Sequence, residues 1–357
     1  ERQWTWMDEG LNSFLEFMSE LRWDENFPVM GGNSNSLDEI GSYMMSEDQV
    51  PIMTNSETVI QFGSNAYDKP AAALTVLRET VMGRELFDFA FKEYSRRWKF
   101  KRPTPSDFFR TMEDASGMDL DWFWRGWFYT TDHVDIAMND VREYRLSTRN
   151  PEVEAPLRRE RREATKPEPV TVTENRATGL QTYTDKHPDA KDFYDANDEF
   201  AVNNKDLNDY ATFKEGLKEP DKSTLERALR ENPYIYFIDF ENKGGLVSPL
   251  PLKFTFEDGS MKEVMVPAEI WRVNNQKVTK LFVETKKIVS VELDPKHQTA
   301  DAVRANNAFP QRNEPSRLEV FSATRPSARN QMAEALTELR AKQPDAGAAV
   351  PITPSPH

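Results

Sequence analysis

The sequence predicts a multidomain α+β protein, a mainly helical part followed by a small antiparallel β-sandwich. Up to about residue 130, apolar residues recur at spacings of three and four, the repeat of helices that bury one face. From Pro233 the repeat shortens to two, in β-branched and aromatic segments divided by turns, as in strands. At 357 residues, 38% hydrophobic and 11% aromatic, the chain is also long enough for more than one packed core.

The elements follow in order. In WTWMDEGLNSFLEF, Met7, Leu11, Phe14, Leu15, Phe17, Met18 and Leu21 line one helical face, and Glu9 falls on the opposite side with Asn12, Ser13, Glu16 and Glu20. A Gly, Asn and Ser-rich loop spans Met30 to Ser36. Pro70 stands in the first turn of a helix through Val81, which Gly83 stops. RELFDFAFKEYSRRW repeats the helical pattern. Thr104 caps, Pro105 starts and Gly117 ends the next helix, and Asp119 caps a last one whose Trp122, Phe123, Trp124 and Trp127 read as core.

From about 144 to 232 the chain is charged and poor in apolar residues, and it reads as a linker or loosely ordered insertion. Its run of Arg158, Arg159, Arg161 and Arg162 is interleaved with acids and reads as a solvated face. YIYFIDF, LPLKFTF, KEVMVP, EIWRV, VTKLFVE and IVSVELDP are the strand candidates, with Glu257-Asp258-Gly259 as a turn. After Arg312, a helix is expected near Ser327 to Lys342, then a disordered Pro and Ala-rich end. The expected domains are a helical part at 1–135, a charged linker or insertion at 136–232, the β-sandwich at 233–305 and a tail at 306–357.

Charge narrows the function. A net charge of -14 opposes binding to phosphate backbones or anionic membranes, so no nucleic-acid partner is expected. No apolar run approaches the ~20 residues needed to cross a bilayer. The absence of cysteine removes thiolate metal sites and a cysteine nucleophile. The first residue is Glu1 rather than Met, so the sequence is read as part of a longer chain whose compartment stays open.

Chemistry is incomplete when read from the residues alone. None of His133, His187, His297 and His357 has another histidine three or four residues away, so the helical zinc pair is absent. There is no G-x-S-x-G elbow and no glycine-rich phosphate loop. From the residues alone Glu9 reads as one charge on a solvated face, since a catalytic zinc needs about three ligands and this helix offers one.

A resemblance adds to this. WTWMDEGLNSFLE is similar to the segment of the zinc aminopeptidase family, that of membrane alanyl aminopeptidase, which supplies the third zinc ligand in an N-E-G or K-E-G triplet, here Asp8-Glu9-Gly10. SNAYDKPAAALTVLRE resembles the family's Y-E-K-G-A stretch, with Asp68 and Pro70 in place of its glutamate and glycine. TPSDFFRTMEDASGMDLDWFWRGWFYTT resembles the end of its thermolysin-like catalytic domain, and the β-sandwich resembles the domain that follows.

The resemblance implies a zinc-dependent aminopeptidase acting on peptides, with Glu9 as metal ligand and Tyr67 as donor to the oxyanion of the tetrahedral intermediate. Zinc is its implied cofactor. The family's H-E-x-x-H, which gives two histidines and a general base, is expected about ten residues ahead of Glu1. The fragment alone is therefore expected to be inactive, because one carboxylate does not hold zinc against water. The family's G-x-M-E-N motif for the substrate amine is also missing from this sequence, which leaves exopeptidase and endopeptidase action both open. An alternative reading is a non-catalytic descendant that serves as a protein-binding scaffold.

Overall fold

In the computed structural model, residues 3–24, 37–192, 194 and 197–311 are described. The loop expected at 30–36, the helix expected at 327–342 and the tail from 312 lie outside them, while the first residues read as tail, 306–311, are described and include a short strand, Ala308–Phe309.

The helical part is organised around aromatic side chains. A 3-10 turn (Thr5–Met7) buries Trp6 and leads into α1 (Glu9–Trp23), whose Gly10, Leu11 and Phe14 face inward. The predicted stripe is narrower than its periodicity implied, since Leu15 and Leu21 are 46% and 44% exposed. Phe14 packs on Phe87 and Phe91 of α4 (Arg84–Trp98). Tyr94 of α4 meets Phe108 of α5 (Pro105–Ser116) edge-on at 4.9 Å. The capping box of Thr104 and Asp107 starts α5, and Gly117, at φ 68°, ends it. Trp124 of α6 (Asp121–Tyr129) stacks on Phe109 at 4.6 Å, so the tryptophan-rich stretch is core as read.

Two helices complete this part. α2 (Leu37–Met44) is followed by an irregular stretch and then by a π-helical turn, Ser64–Asp68, that runs straight into α3 (Lys69–Val76). Every residue of α3 is buried. The helix read as continuous to Val81 changes to a second π-helical turn at Leu77–Met82 before Gly83, at φ 80°, stops it. Helix α1 crosses α3 at Gly10: a Cβ there would lie 2.5 Å from Cγ of Pro70 and 3.0 Å from the Ala66 carbonyl. Only glycine admits this approach.

Two antiparallel sheets follow, in the orders β1-β2-β5 and β4-β3-β6-β7. The strands are β1 (Ile136–Arg145), β2 (Tyr234–Asn242), β3 (Leu250–Phe256), β4 (Met261–Val266), β5 (Lys277–Glu284), β6 (Ile288–Leu293) and β7 (Ala308–Phe309). Phe254 and Phe282 meet edge-on at 5.0 Å between the sheets. The chain is thus α+β, helices followed by two small antiparallel sheets.

Three readings differ from this arrangement. Residues 136–145 stand in the stretch read as linker, yet they form β1, because pairing with β2 gives their backbone its partners. EIWRV is not a strand: Ala268–Trp271 is a 3-10 turn that buries Trp271, whose Nε1 donates to the Ser248 carbonyl at 2.8 Å. The charged stretch is helical, with α7 (Pro151–Thr165), α8 (Val170–Ala177), α9 (Tyr183–Lys186), α10 (Asn204–Gly216) and α11 (Asp221–Glu231), and most of its side chains are exposed. Within α7 the arginine run is split. Arg159 and Arg162 pair with Asp198 and Glu199 and lie over the Phe200 ring, so this part of the run is tied to its own insertion.

The two parts share one continuous core. At the seam, His133 and Gly244 exchange close backbone contacts, and a Cβ on Gly244 would come within 2.3 Å of the His133 carbonyl. Buried Asp301 accepts hydrogen bonds from the amides of Val303 at 3.0 Å and Ile136 at 3.2 Å, and Asn306 donates to the neighbouring Asp135 at 2.8 Å.

Burial raises the Asp301 carboxyl to about 6. The folded chain therefore holds a proton there between about pH 4 and 6 that the unfolded chain has released. This contribution to stability is present below about pH 4 and is lost as the pH rises through about 6. In urea unfolding, the wild type should lose stability across that window relative to Asp301→Asn, and parallel pH profiles would refute the assignment. Gly10→Ala forces α1 away from Pro70 and should cost about 1–3 kcal/mol by the same measurement. Wild-type stability in that variant would mean that α1 and α3 separate freely.

Candidate active site

The site is built where α1 begins. Asp8 stands at the N-cap and Glu9 opens the first turn, where the positive end of the helix favours a carboxylate. Glu9 is half-buried, because Gly10 behind it holds this end of α1 against the turn that carries Tyr67. From that turn the Tyr67 hydroxyl lies beside the Glu9 carboxylate, a polar contact that raises the pKa of the phenol; burial and the charges of Glu9 and Asp8 act in the same direction. The two residues singled out in the sequence are therefore neighbours. Glu16 is exposed farther along α1.

The surroundings are acidic on one side and aromatic on the other. Phe62, 44% exposed, stands edge-on to Tyr67 with ring centroids 6.2 Å apart. Asp68 is half-buried, and desolvation raises its carboxyl above the usual range. Asp8 and Glu39 add negative charge nearby.

Beneath Tyr67 lies a polar layer that the sequence reading missed. Lys69 is fully buried; its Nζ donates to Oε1 of Gln49 at 2.6 Å and to the Thr130 carbonyl at 3.4 Å. Burial lowers its pKa to about 7, while Asp132 acts weakly the other way. Buried Gln49 donates in turn to the carbonyls of Met44 at 2.5 Å and Thr131 at 2.7 Å. Asn65, also buried, donates to the Val50 carbonyl at 2.8 Å. The one signal in the sequence was a lysine at the head of an otherwise apolar helix.

These residues fit part of a metal centre. Glu9 offers one carboxylate, and neither it nor a histidine belongs to the metal-sized group found among the described residues, Glu113, Asp119 and Asp121, whose ligand atoms lie within 4.8 Å of one another. Glu113 there accepts the Leu120 amide at 3.0 Å at the start of α6, which is a helix-capping role. His297 pairs with Asp38 on the surface, and His133 lies at the seam with the sheets.

Residues 2–127 match the model of the peptidase family M1 domain. Glutamyl aminopeptidase of Sus scrofa is 25% identical over 142 residues, which are 38% of this chain and 15% of that enzyme. Glutamyl aminopeptidase of Rattus norvegicus is 29% identical over 120 residues, 32% of this chain and 13% of that one. The matched stretch thus spans less than a fifth of these relatives. The crystal structure of Legionella pneumophila aminopeptidase A in complex with aspartic acid is 13% identical with a TM-score of 0.43, covering 96% of this chain and 29% of that one, a likeness too slight to weigh. Three motifs in one order, the closeness of Glu9 to Tyr67 and the match over residues 2–127 point the same way: over this stretch the chain is similar to the peptidase family M1 domain.

Proposed function

We propose that this chain is the C-terminal portion of a zinc-dependent aminopeptidase that hydrolyses the N-terminal residue from peptides. The observation that carries the reading is the closeness of the Tyr67 hydroxyl to the Glu9 carboxylate, two groups from separate elements that the M1 resemblance assigns to one centre. Glu9 is the metal ligand that this chain contributes, and the other ligands come from outside the 357 residues. When bound, the zinc supplies charge to polarise the scissile carbonyl and to activate water.

The chain's own residues do the rest. Tyr67 sits beside the ligand carboxylate with a phenolic proton to donate, so it stabilises the oxygen on which negative charge develops as the carbonyl is attacked. Phe62 gives the site an apolar wall beside Tyr67. The acidic residues Asp8, Glu39 and Asp68 suit a substrate that carries a free amino group.

In the full-length enzyme, Tyr67→Phe should lower kcat by about 10²- to 10³-fold with the zinc content unchanged. An unchanged kcat would remove Tyr67 from the mechanism. Glu9→Ala should lower the zinc content measured after dialysis as well as the rate, and full metal occupancy in that variant would exclude Glu9 as a ligand. The 357 residues alone should retain no zinc in the same dialysis, and zinc-dependent peptidase activity from them would overturn the reading.

A further inference from the structure

The turn that carries Tyr67 is π-helical: at its end the Lys69 amide reaches back to the Ser64 carbonyl, five residues earlier. Such turns are rare, form poorer hydrogen bonds than α-helix and persist where the surroundings hold them. Here the holding groups flank Tyr67 on either side. Two residues before it, buried Asn65 reaches the carbonyls of Val50 at 2.8 Å and Pro51 at 3.3 Å and the Tyr43 hydroxyl at 3.3 Å. Two residues after it, Lys69 reaches Gln49 at 2.6 Å, and Gln49 is fixed by Met44 and Thr131. Both anchors end on the segment 44–51, with a second hold from Lys69 on Thr130.

Lys69 is an expensive choice for this place. It is 0% exposed and forms no ion pair among the described residues, so its amine is stripped of water for two neutral acceptors. A methionine would fill much the same volume without that desolvation cost. What the lysine adds is direction, because a hydrogen bond fixes the turn where an apolar contact lets it slide.

We infer that Lys69 and Asn65 are positioning residues for Tyr67, clamping both sides of its π-helical turn to the segment 44–51 so that the hydroxyl stays aimed at Glu9. The inference rests on the catalytic reading of Tyr67 given above. The clamp itself is a property of the 357-residue chain and is testable there without zinc or substrate.

The experiment is amide hydrogen exchange on the whole chain for wild type and Lys69→Met. Loss of the clamp should speed exchange at residues 64–69 by about tenfold or more and leave the amides of α4 and α5 unchanged. The chain has no cysteine, so Lys69→Cys alkylated with 2-bromoethylamine while unfolded and then refolded restores an amine of the same reach, and it should restore slow exchange. Asn65→Ala should loosen the same residues, which keeps the test open if Lys69→Met does not fold. In the full-length enzyme Lys69→Met should lower kcat about tenfold or more with KM kept, and the alkylated cysteine should recover it. Wild-type exchange at 64–69, or faster exchange throughout the helical part, would overturn the clamp. Unchanged kcat in Tyr67→Phe would instead overturn the catalytic reading and leave the exchange result to decide the clamp.

Discussion

The close crossing of α1 on α3 at Gly10 is the constraint on which the candidate site depends. Without a side chain at Gly10, Pro70 and the Ala66 carbonyl come directly against the first turn of α1. That contact sets the separation between Glu9, one residue before the glycine, and Tyr67, on the turn that ends beside Pro70. It also places Glu9 at the positive end of a helix, where a carboxylate is stabilised in its charged form. Glycine after the glutamate and proline in the first turn of α3 are thus two halves of one steric fit.

A second layer keeps this fit rigid. The helical part packs ring on ring, with Trp6, Phe108, Phe109, Trp124 and Phe128 joined in stacked and edge-on contacts that fix both distance and tilt. Aromatic packing leaves few polar anchors, and those present are concentrated beneath the Tyr67 turn, in Lys69, Gln49 and Asn65. Buried polar groups that are fully partnered specify one arrangement where apolar contacts permit several. The seam with the sheets follows the same logic. Asp301 and Asp135 accept bonds from neighbouring backbone and side-chain N–H groups, and Gly244 allows the backbones to touch.

The insertion between β1 and β2 is held differently. Its helices are mostly exposed and bury little beyond Pro151, Ala155, Leu225 and Ala228. Local charge pairs such as Arg159 with Asp198, Arg162 with Glu199 and Arg176 with Glu168 join its segments. Exposed pairs of this kind each contribute little. The insertion therefore adds surface to the molecule and no part of the candidate site.

The sequence by itself determined the helical repeat of the first part and the alternation of most of the strands. Caps and stops at Thr104, Pro105, Gly83 and Gly117 were legible because they act through their own backbone neighbours. The strand assignment of residues 250–256 was legible because alternation is local. The membership of residues 136–145 in the sheet was not, because β1 is defined by pairing with residues far along the chain. Nor could EIWRV be told from a strand until Trp271 found the Ser248 carbonyl. Most of the site was of this second kind. Residue identity marked Glu9 and Tyr67, but only the tertiary structure decided that a glycine lets them meet and that a buried lysine packs under the turn that carries Tyr67, since steric fit and desolvation belong to the packed chain and to no single residue in it.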